Sequence, residues 1–535
     1  MNTTPSTIGR YLAQLIAANG VDTVFGIPGV HTLELYRGFA SSGLRHVLVR
    51  HEQAAGFAAD GYARVSGRPA AAFVISGPGV TNILTAAAQA YSDSVPMLIV
   101  ASAPVRASLG KKWGVLHELH DQRALVAAVL DAAFTAGSAE DIRDQLRVAF
   151  ASFRVGRPRP AYLQIPLDLL AQTTTLRAER FAGASVLPHA QPQQIVQARA
   201  LLASARRPLI IAGGGARAAA PQLRHLIEAV DGYLVTTTAG KGMLPEVHPA
   251  NLGASLPYPE TQELIAQADV VVAVGTELSE TDIYTTMKLA VAGQLIRIDI
   301  DPEKLSDHYG AAVPIWGDAA ATLGAIGQGI KARSGWRSLA GDSKAHRSRL
   351  EERFDAGTRE RMRAIRALRA ALPPDAVVFS DMTQIAYLGN YAFPADMPGT
   401  WFHPSGYGTL GYALPAALGA KIAAPERAII ALAGDFGLQF TLNELMTAVE
   451  LEHSLPIVVW NNAALGQIRD DMLAADIDPV AVVARNPNFP ALAAACGASG
   501  IQVASSAALA QAVRTALQRR GPTLIEVLAG GFRDD

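Results

Sequence analysis

Acidic and amide side chains follow two strongly apolar runs in the C-terminal part of the chain. Asp435 comes directly after the run RAIIALAG, and the pair Asn461 and Asn462 comes directly after the run LPIVVW. Carboxylate and amide oxygens, with no Cys or His nearby, are the ligands that Mg²⁺ prefers, and Mg²⁺ commonly bridges to phosphate groups. The pattern indicates an oxygen-ligand metal site. A helix cap at Asp435 and a turn at the Asn pair are the alternatives for each residue alone.

The elements around these residues must bring them together. Both apolar runs are typical of buried strands, and the segment TLNELMTAVELE between them is typical of a helix. In open parallel sheets the carboxyl ends of the strands line the ligand crevice. We therefore expect the acid and the amides to meet at one edge of a sheet.

The same rhythm of short strands and helices extends along most of the chain. Its 535 residues suit about three domains of ~150 residues each. Strand-like runs such as AAFVIS and PMLIVAS alternate with Ala-rich stretches, restart at RPLIIAGGGA, and restart again at AVVFSD. The predicted fold class is α/β, with three doubly wound parallel-sheet domains over residues 1–170, 190–330 and 355–535.

Composition narrows the class of partner. Forty-six Lys and Arg against 47 Asp and Glu give a formal charge of −1, which offers no bulk attraction to nucleic acid or anionic membranes. No apolar stretch reaches the ~18 residues of a membrane span. Cys496 is the only cysteine, so disulfides within the chain and cysteine metal clusters are excluded. With no secretory signal at the start, we expect a cytoplasmic protein that acts on small molecules.

The acid and the Asn pair together resemble the diphosphate-binding signature of thiamine diphosphate (ThDP) enzymes. The stretches VDTVFGIPGVHTLELY and YLQIPLDL resemble the pyrimidine-binding domain of the acetolactate synthase and 2-oxo-acid decarboxylase group, and the stretch from RPLIIAGGGA to RIDIDPEKL resembles its central domain. The resemblance covers nearly the whole chain. It implies that the three domains are a pyrimidine, a central and a diphosphate domain.

This resemblance implies a set of cofactor ligands. Asp435, Asn462 and the carbonyl of Ala464 would hold Mg²⁺ on the diphosphate. The third residue of the family's Gly-Asp-Gly is Phe436 here, which challenges the loop geometry because glycine allows close backbone approach, although Gly437 follows at once. Further cofactor contacts are implied for Gln384 at the diphosphate, the Gly408 carbonyl at the 4′-amino group, and Leu410 beneath the thiazolium.

Glu52, in VRHEQAAG, has the position of the family's cofactor-activating glutamate. A buried carboxyl favours its protonated form, and a hydrogen bond from it to the pyrimidine assists removal of the thiazolium C2 proton. An ordinary acid at a helix N-terminus is the alternative. In the family, the equivalents of Glu52 and Asp435 serve one cofactor from different subunits, which implies a homodimer or homotetramer with active sites at the interface.

The residues beside the thiazolium differ from those of acetolactate synthases. Leu116, His117 and Glu118 stand where those enzymes have Phe-Gln-Glu, and an imidazole at 117 can protonate an enamine or hold a carboxylate. The implied catalytic residues are Glu52 and His117. Surface positions are the alternative for His117 and for His120.

Two further differences from known members of the family concern the reaction and the binding of FAD. Val30 and Ile468 replace the proton-relay acids of pyruvate-type decarboxylases, which argues against simple pyruvate decarboxylation. The stretch GTELSETDIY lacks the Arg-containing segment of flavin-binding acetolactate synthases, which argues against FAD.

The stretches GIPGVHTLELYRG, LHELHDQRALVA and WNNAALGQIRDDM most resemble 5-guanidino-2-oxopentanoate (2-oxoarginine) decarboxylases. A guanidinium tail requires a carboxylate that can accept paired hydrogen bonds. The candidate substrate residues are His31, Glu118, His120, Asp470 and Asp471. For the two aspartates, the alternative is pairing with Arg469 or hydration on a helix face.

We therefore expect a ThDP- and Mg²⁺-dependent non-oxidative decarboxylase of a 2-oxo acid, with 2-oxoarginine as the narrower expectation, working through a C2 ylid and an enamine. An acetolactate synthase-like carboligase is the first alternative. A non-catalytic subunit with the same fold, favoured by Phe436, is the second. The residues leave open the substrate side chain, the fate of the enamine, the number of subunits and nucleotide binding by the central domain.

Overall fold

The computed structural model describes residues 5–183, 186–284, 286–483 and 485–534. These residues form three large sheets flanked by helices, which confirms the predicted α/β class. They divide into two compact units. One unit takes the described residues within Met1–Ser185, Gly406–Gln502 and Thr515–Glu526, and the other takes those within Val186–Ser405, Val503–Arg514 and Val527–Asp535.

The N-terminal sheet has six parallel strands in the order β3-β2-β4-β5-β7-β6, and β1 pairs antiparallel with β8 beside it. The strands are β1 (Ser6–Thr7), β2 (Thr23–Gly26), β3 (Arg45–Leu48), β4 (Ala70–Val74), β5 (Met97–Ala103), β6 (Ala132–Thr135), β7 (Ala161–Pro166) and β8 (Thr173–Thr174). The helices are α1 (Ile8–Ala18), α2 (Leu33–Tyr36), α3 (Phe39–Ser42), α4 (Glu52–Ser66), α5 (Pro78–Ser92), α6 (Gln122–Ala127), α7 (Ala139–Val155) and α8 (Leu167–Leu170).

The second sheet has five parallel strands in the order β10-β9-β11-β12-β13. Its strands are β9 (Pro208–Ala212), β10 (Tyr233–Thr236), β11 (Val270–Val274), β12 (Gln294–Asp299) and β13 (Val313–Trp316). The helices of this segment are α9 (Pro192–Ser204), α10 (Ala220–Val230), α11 (Pro259–Gln267), α12 (Glu280–Ile283), α13 (Ala319–Gly327), α14 (Trp336–Ala340) and α15 (Ser343–Glu352).

The third sheet has six strands: β14 (Val377–Ser380), β15 (Trp401–Phe402), β16 (Ile429–Gly434), β17 (Leu455–Asn461), β18 (Ser499–Val503) and β19 (Pro522–Leu528). β14 pairs parallel with β15, and β16 pairs parallel with β17. The helices are α16 (Ala356–Ala370), α17 (Gln384–Ala392), α18 (Ala413–Ala423), α19 (Asp435–Phe440), α20 (Glu444–Leu451), α21 (Gly466–Ala474), α22 (Phe489–Ala495) and α23 (Ser506–Gln518). The domain boundaries expected from the sequence stay a prediction.

The central strands of the N-terminal sheet are buried on both faces. Every residue of β4 and β5 is buried, because helices cover both sides of a parallel sheet. Alternate residues enter opposite cores: Phe73 and Val100 pack on one side, and Ala72 and Ile99 on the other. This burial explains why these strands appear in the sequence as uninterrupted apolar runs. None of the described helices has the length and apolar character needed to cross a membrane.

Helices α4 and α18 approach each other unusually closely. A Cβ added to Gly61 would lie 1.9 Å from the carbonyl oxygen of Ala416, and one added to Gly419 would lie 1.8 Å from the carbonyl oxygen of Ala58. No side chain fits at such distances, so glycine is required at both crossings. The middle of α4, the helix that begins at Glu52, is thereby held against the helix that follows the 406–412 loop.

Gly419→Ala is expected to destabilise the protein. Replacing a helical glycine with alanine ordinarily stabilises a helix by about 1 kcal/mol, but here the new methyl would force two helices apart, and overpacking costs about 1–3 kcal/mol. The free energy of unfolding in denaturant measures the difference. Gly324→Ala in α13 is the control, because its Cβ would lie 3.7 Å from the nearest atom, in the Gln222 side chain. Equal stability of the two variants would contradict the close packing.

Candidate active site

Glu52 is the first residue of α4 and is 9% exposed. Its Oε2 accepts a hydrogen bond of 2.9 Å from Asn82 Nδ2 on α5. A Cβ added to Gly79 would lie 3.4 Å from Glu52 Oε1, so the glycine leaves room beside the carboxyl group. The structure therefore places Glu52 where the sequence predicted it, after a strand and at the start of a small-residue helix.

A second buried carboxyl group, Glu444 on α20, positions the turn that leads into Glu52. Its Oε1 accepts a hydrogen bond of 2.9 Å from the backbone N–H of Arg50, and its Oε2 accepts one of 2.7 Å from Thr447 Oγ1. Burial raises the pKa of Glu444, while these hydrogen bonds and one from the backbone of His51 oppose the rise. Sequence reasoning missed this residue because it looks like an ordinary acid inside a predicted helix.

Two histidines meet at the carboxyl end of the N-terminal sheet. The ring centroids of His31 and His117 lie 5.0 Å apart with an interplanar angle of 71°. His31 Nδ1 lies 2.8 Å from Ser76 Oγ. Burial, and secondarily the neighbouring His117, lower the pKa of His31. Nδ1 of His117 is buried without a hydrogen-bond partner among the described residues. The two imidazoles are therefore in edge-to-face contact at this end of the sheet.

The turn at Gly77 supports His117 directly. Gly77 has φ +68°, and a Cβ added to it would lie 2.6 Å from the carbonyl oxygen of His117, which itself has φ +64°. The Gly77 N–H donates to Gln122 Oε1 at 2.9 Å, and Gln122 Nε2 donates to the Ser102 carbonyl at 2.9 Å. Ser76 and Gln122 were not identified from the sequence. Their role depends on contacts between loops that are far apart in the chain.

The remaining candidate substrate residues have different surroundings. Glu118 Oε2 accepts a hydrogen bond of 2.8 Å from the Gly114 N–H, whereas its Oε1 is buried without a described partner. Asp470 lies 3.0 Å from Arg469, Asp471 accepts from Gln467 Nε2 at 2.9 Å, and both aspartates are exposed on α21. This is the arrangement that the helix-surface alternative predicts for them. His120 is exposed.

The predicted metal ligands lie at the ends of β16 and β17. Asp435 is the first residue of α19 and only 2% exposed. Asn462 Oδ1 accepts a hydrogen bond of 3.1 Å from the Ala464 N–H, and Ala464 is buried. Burial raises the pKa of Asp435, and hydrogen bonds from Asn486 and nearby backbone groups oppose the rise. A bound cation would offset the cost of burying this charge.

The donor types at the ends of β16 and β17 fit a hard cation. Among the described residues there is no group of three or more His, Cys, Asp or Glu side chains that could hold a metal. A metal at Asp435 therefore depends on amide and carbonyl oxygens, which are suitable ligands for Mg²⁺.

Phe436 fits its position without strain. It lies in the first turn of α19, half-buried, and neither it nor Gly437 has a positive φ. Its backbone N–H donates to the Asp435 carboxylate. A helical backbone does not need glycine here, so the departure from Gly-Asp-Gly leaves the loop intact.

The 406–412 loop carries the other predicted cofactor contacts of this unit. Gly408 has φ +72°, and Leu410 is half-buried between two anchored neighbours. The Thr409 hydroxyl donates to Gln89 at 2.9 Å, and the Gly411 carbonyl accepts from Thr441 at 2.9 Å. Gln384, in the other unit, is the first residue of α17.

Comparison with known proteins identifies the family of the chain. Family models match residues 6–125 (thiamine pyrophosphate enzyme, N-terminal TPP binding domain), 195–326 (central domain) and 381–527 (C-terminal TPP binding domain). The chain is also 48% identical to "Probable 2-ketoarginine decarboxylase AruI" of Pseudomonas aeruginosa, over 97% of this chain and 94% of that protein. The chain belongs to the thiamine pyrophosphate enzymes.

Two acetolactate synthases are more distant relatives than the Pseudomonas aeruginosa protein. The chain is 31% identical to acetolactate synthase isozyme 3 large subunit of Escherichia coli, over 94% of this chain and 90% of that protein. It is 32% identical to acetolactate synthase large subunit IlvB1 of Mycobacterium tuberculosis, over 90% and 81%. The family expected from the sequence, and thiamine diphosphate as the cofactor, are confirmed. The roles of individual residues stay predictions.

Gly77→Ala is expected to lower the rate of 2-oxo-acid consumption by this thiamine pyrophosphate enzyme. The new Cβ would push the His117 backbone away, and a misplacement of about 1 Å near reacting groups can cost on the order of 10²-fold in rate. Steady-state kinetics, with cofactor binding measured in parallel, tests this. Gly110→Ala is the matched control, since Gly110 also has positive φ (+71°) but has no atom within 4 Å of an added Cβ. A similar loss in both variants would mean that backbone strain, not displacement of His117, is the cause.

Proposed function

We propose that this enzyme is a ThDP- and Mg²⁺-dependent non-oxidative decarboxylase whose substrate is 5-guanidino-2-oxopentanoate, also called 2-ketoarginine or 2-oxoarginine. The observation that carries the proposal is the His31 and His117 pair beside the Gly77 turn. It occurs in a chain 48% identical to a protein named as a probable 2-ketoarginine decarboxylase.

Bound ThDP supplies an electron sink for the carbanion that forms when a 2-oxo acid loses CO₂. In the proposal, the protein holds the cofactor and its metal through side-chain and carbonyl oxygens, and the buried carboxyl group of Glu52 would hydrogen-bond to the pyrimidine. The proposed metal ligands are Asp435, Asn462 and the Ala464 carbonyl, and the proposed cofactor contacts are Gln384, Gly408, Leu410, Phe436 and Gly437.

The two histidines are proposed to direct the product towards an aldehyde. Because burial lowers the pKa of His31, its ring is neutral near pH 7 and can accept a hydrogen bond or a proton. His117 has a free Nδ1 facing no described partner, which suits transfer of a proton to the substrate carbon. A carbon that is protonated at once is no longer available to attack a second carbonyl.

Glu118 is the candidate that best suits the guanidinium tail. Its Oε1 is buried and has no partner among the residues that the structure describes, so it can accept a charge-assisted hydrogen bond. Asp470 and Asp471 are weaker candidates because their carboxylates are exposed and already bonded on α21.

Carboligation is the second candidate function, because the chain also shares 31% identity with an acetolactate synthase over 94% of its length. The histidine at 117 is the feature that separates the two candidates. The helical position of Phe436, without positive φ, weakens the main argument for a non-catalytic subunit.

A second subunit is part of the proposal. Four large apolar side chains beside the histidine pair are 57–65% exposed, and they would form an apolar surface suited to burial against another copy. They are Val30, Leu33, Trp113 and Leu116. We propose a homodimer or homotetramer whose active sites lie between subunits.

Product analysis tests the reaction. The purified protein, with ThDP and Mg²⁺, is incubated with 2-oxoarginine or with pyruvate, and products are identified by mass spectrometry. We expect 4-guanidinobutanal from 2-oxoarginine, little product from pyruvate, and no product with Glu52→Gln. The active species is expected to elute as a dimer or larger. Acetolactate from pyruvate would instead support carboligation, and an active monomer would contradict the shared site.

Glu118→Gln is expected to reduce selectivity for the guanidinium substrate. Loss of a charged hydrogen bond corresponds to roughly tenfold or more in kcat/KM, while 2-oxohexanoate, which has no charge on its tail, should be affected little. The ratio of kcat/KM for the two substrates is the measurement, and Asp470→Asn and Asp471→Asn serve as controls with unchanged ratios. An unchanged ratio in Glu118→Gln would exclude Glu118 as the tail-binding residue.

A further inference from the structure

We propose that Asn486 is a positioning residue that orients the metal ligands, at the end of a hydrogen-bond chain that begins at the buried Glu526. The inference rests on the metal site of the proposed function and adds residues that the resemblance did not identify. In the sequence, Asn486 lies just before α22. The two segments that carry the predicted ligands precede it, and the C-terminal strand β19 follows it.

The amide of Asn486 joins both predicted ligand segments. Its Nδ2 donates to Asp435 Oδ2 at 2.6 Å and to Asn461 Oδ1 at 2.8 Å. Its Oδ1 accepts from Gln439 Nε2 at 3.1 Å, and Gln439 also donates to the backbone carbonyl of Asp435 at 3.0 Å. Both ends of the amide are therefore occupied, and its orientation is determined by its neighbours.

Glu526 sets the direction of the chain. This carboxyl group is 4% exposed and accepts from Asn461 Nδ2 at 2.6 Å and from Gln502 Nε2 at 3.0 Å. Both oxygens of Glu526 are acceptors in these bonds, so the amide nitrogen of Asn461 faces Glu526. The amide oxygen of Asn461 then faces Asn486 and the N–H of Ala463, which donates to it at 3.1 Å.

This arrangement has two consequences for the metal site. One oxygen of Asp435 is held by Asn486, which restricts the orientation of the carboxylate that would face the cation. The turn that follows Asn461, and that presents Asn462 and the Ala464 carbonyl, is fixed by the bond to Ala463. Asn461 therefore acts as a link between Glu526 and the ligands, while Asn462 is the ligand. Groups that orient metal ligands in this way commonly change metal affinity 10–100-fold when they are removed.

Binding of Mn²⁺ in the presence of ThDP tests the proposal without reference to activity. Electron paramagnetic resonance measures free Mn²⁺ during titration of the full-length protein. Asn486→Ala is expected to raise the Mn²⁺ dissociation constant about 10–100-fold. Asn488→Ala is the matched control in the same loop. Its side chain is exposed and only caps α22 by accepting from the Ala491 N–H at 2.9 Å, so a cap is lost but wild-type Mn²⁺ affinity is expected.

Glu526→Gln provides a second, nearly isosteric variant. A glutamine at 526 can also donate, so the direction of the chain is lost and Mn²⁺ affinity is expected to fall even if Asn486→Ala does not fold. Wild-type affinity in a folded Asn486→Ala or in Glu526→Gln would overturn the inference. Failure of the wild-type protein to bind Mn²⁺ with ThDP would instead overturn the metal site of the proposed function, and the inference with it.

Discussion

The unit that contains Glu52 and Asp435 depends on the ion pairs of one buried guanidinium group, that of Arg64. Its Nε lies 2.6 Å from Asp60, and its Nη2 lies 2.7 Å from Asp93. Asp93 accepts from the Gly406 N–H at 2.9 Å, and Asp60 accepts from the Tyr412 hydroxyl at 2.5 Å. An unpaired charge at this depth would cost several kcal/mol, so both ends of the 406–412 loop are tied to α4 and α5. Gly408 and Leu410 lie between these two ties.

Helix α4 connects this charge cluster to the chemistry at its other end. Its middle contacts α18 at two glycines. Its first residue is Glu52, and the turn just before it is held by the hydrogen bond from the Arg50 backbone N–H to Glu444. Displacement of any one of these three contacts would move the others, because a helix transmits shifts along its axis. The carboxyl group of Glu52 is thus positioned by residues from distant parts of the chain, and sequence neighbours contribute little.

Much of this could be anticipated from patterns that are local in sequence. Buried parallel strands need apolar residues on both faces, so runs such as AAAFV and IIALAG identify themselves. Asp435 and Asn462 follow such strands directly, which is why their common edge was predictable. Phe436 was harder to interpret, because a single-residue departure from a motif has no energetic meaning until the backbone conformation is known. The helical φ at Phe436 supplies that meaning.

By itself, the sequence determined the α/β class, because buried strands and helices have characteristic periodicities, and it placed Glu52 and Asp435 at the ends of predicted strands. The ThDP family and the interest of His117 came from the resemblance of its motifs to known enzymes. Only the tertiary structure paired His31 with His117, placed Glu444 beneath Arg50, and joined Asn486 to Asp435. Each of these contacts links residues far apart in the chain, or within loops whose course no local pattern encodes. Polar side chains such as Asn486 and Glu444 also look alike in sequence whatever their surroundings, because only the fold decides that Glu444 is buried, where its hydrogen bonds become obligatory, and that Asn486 meets Asp435.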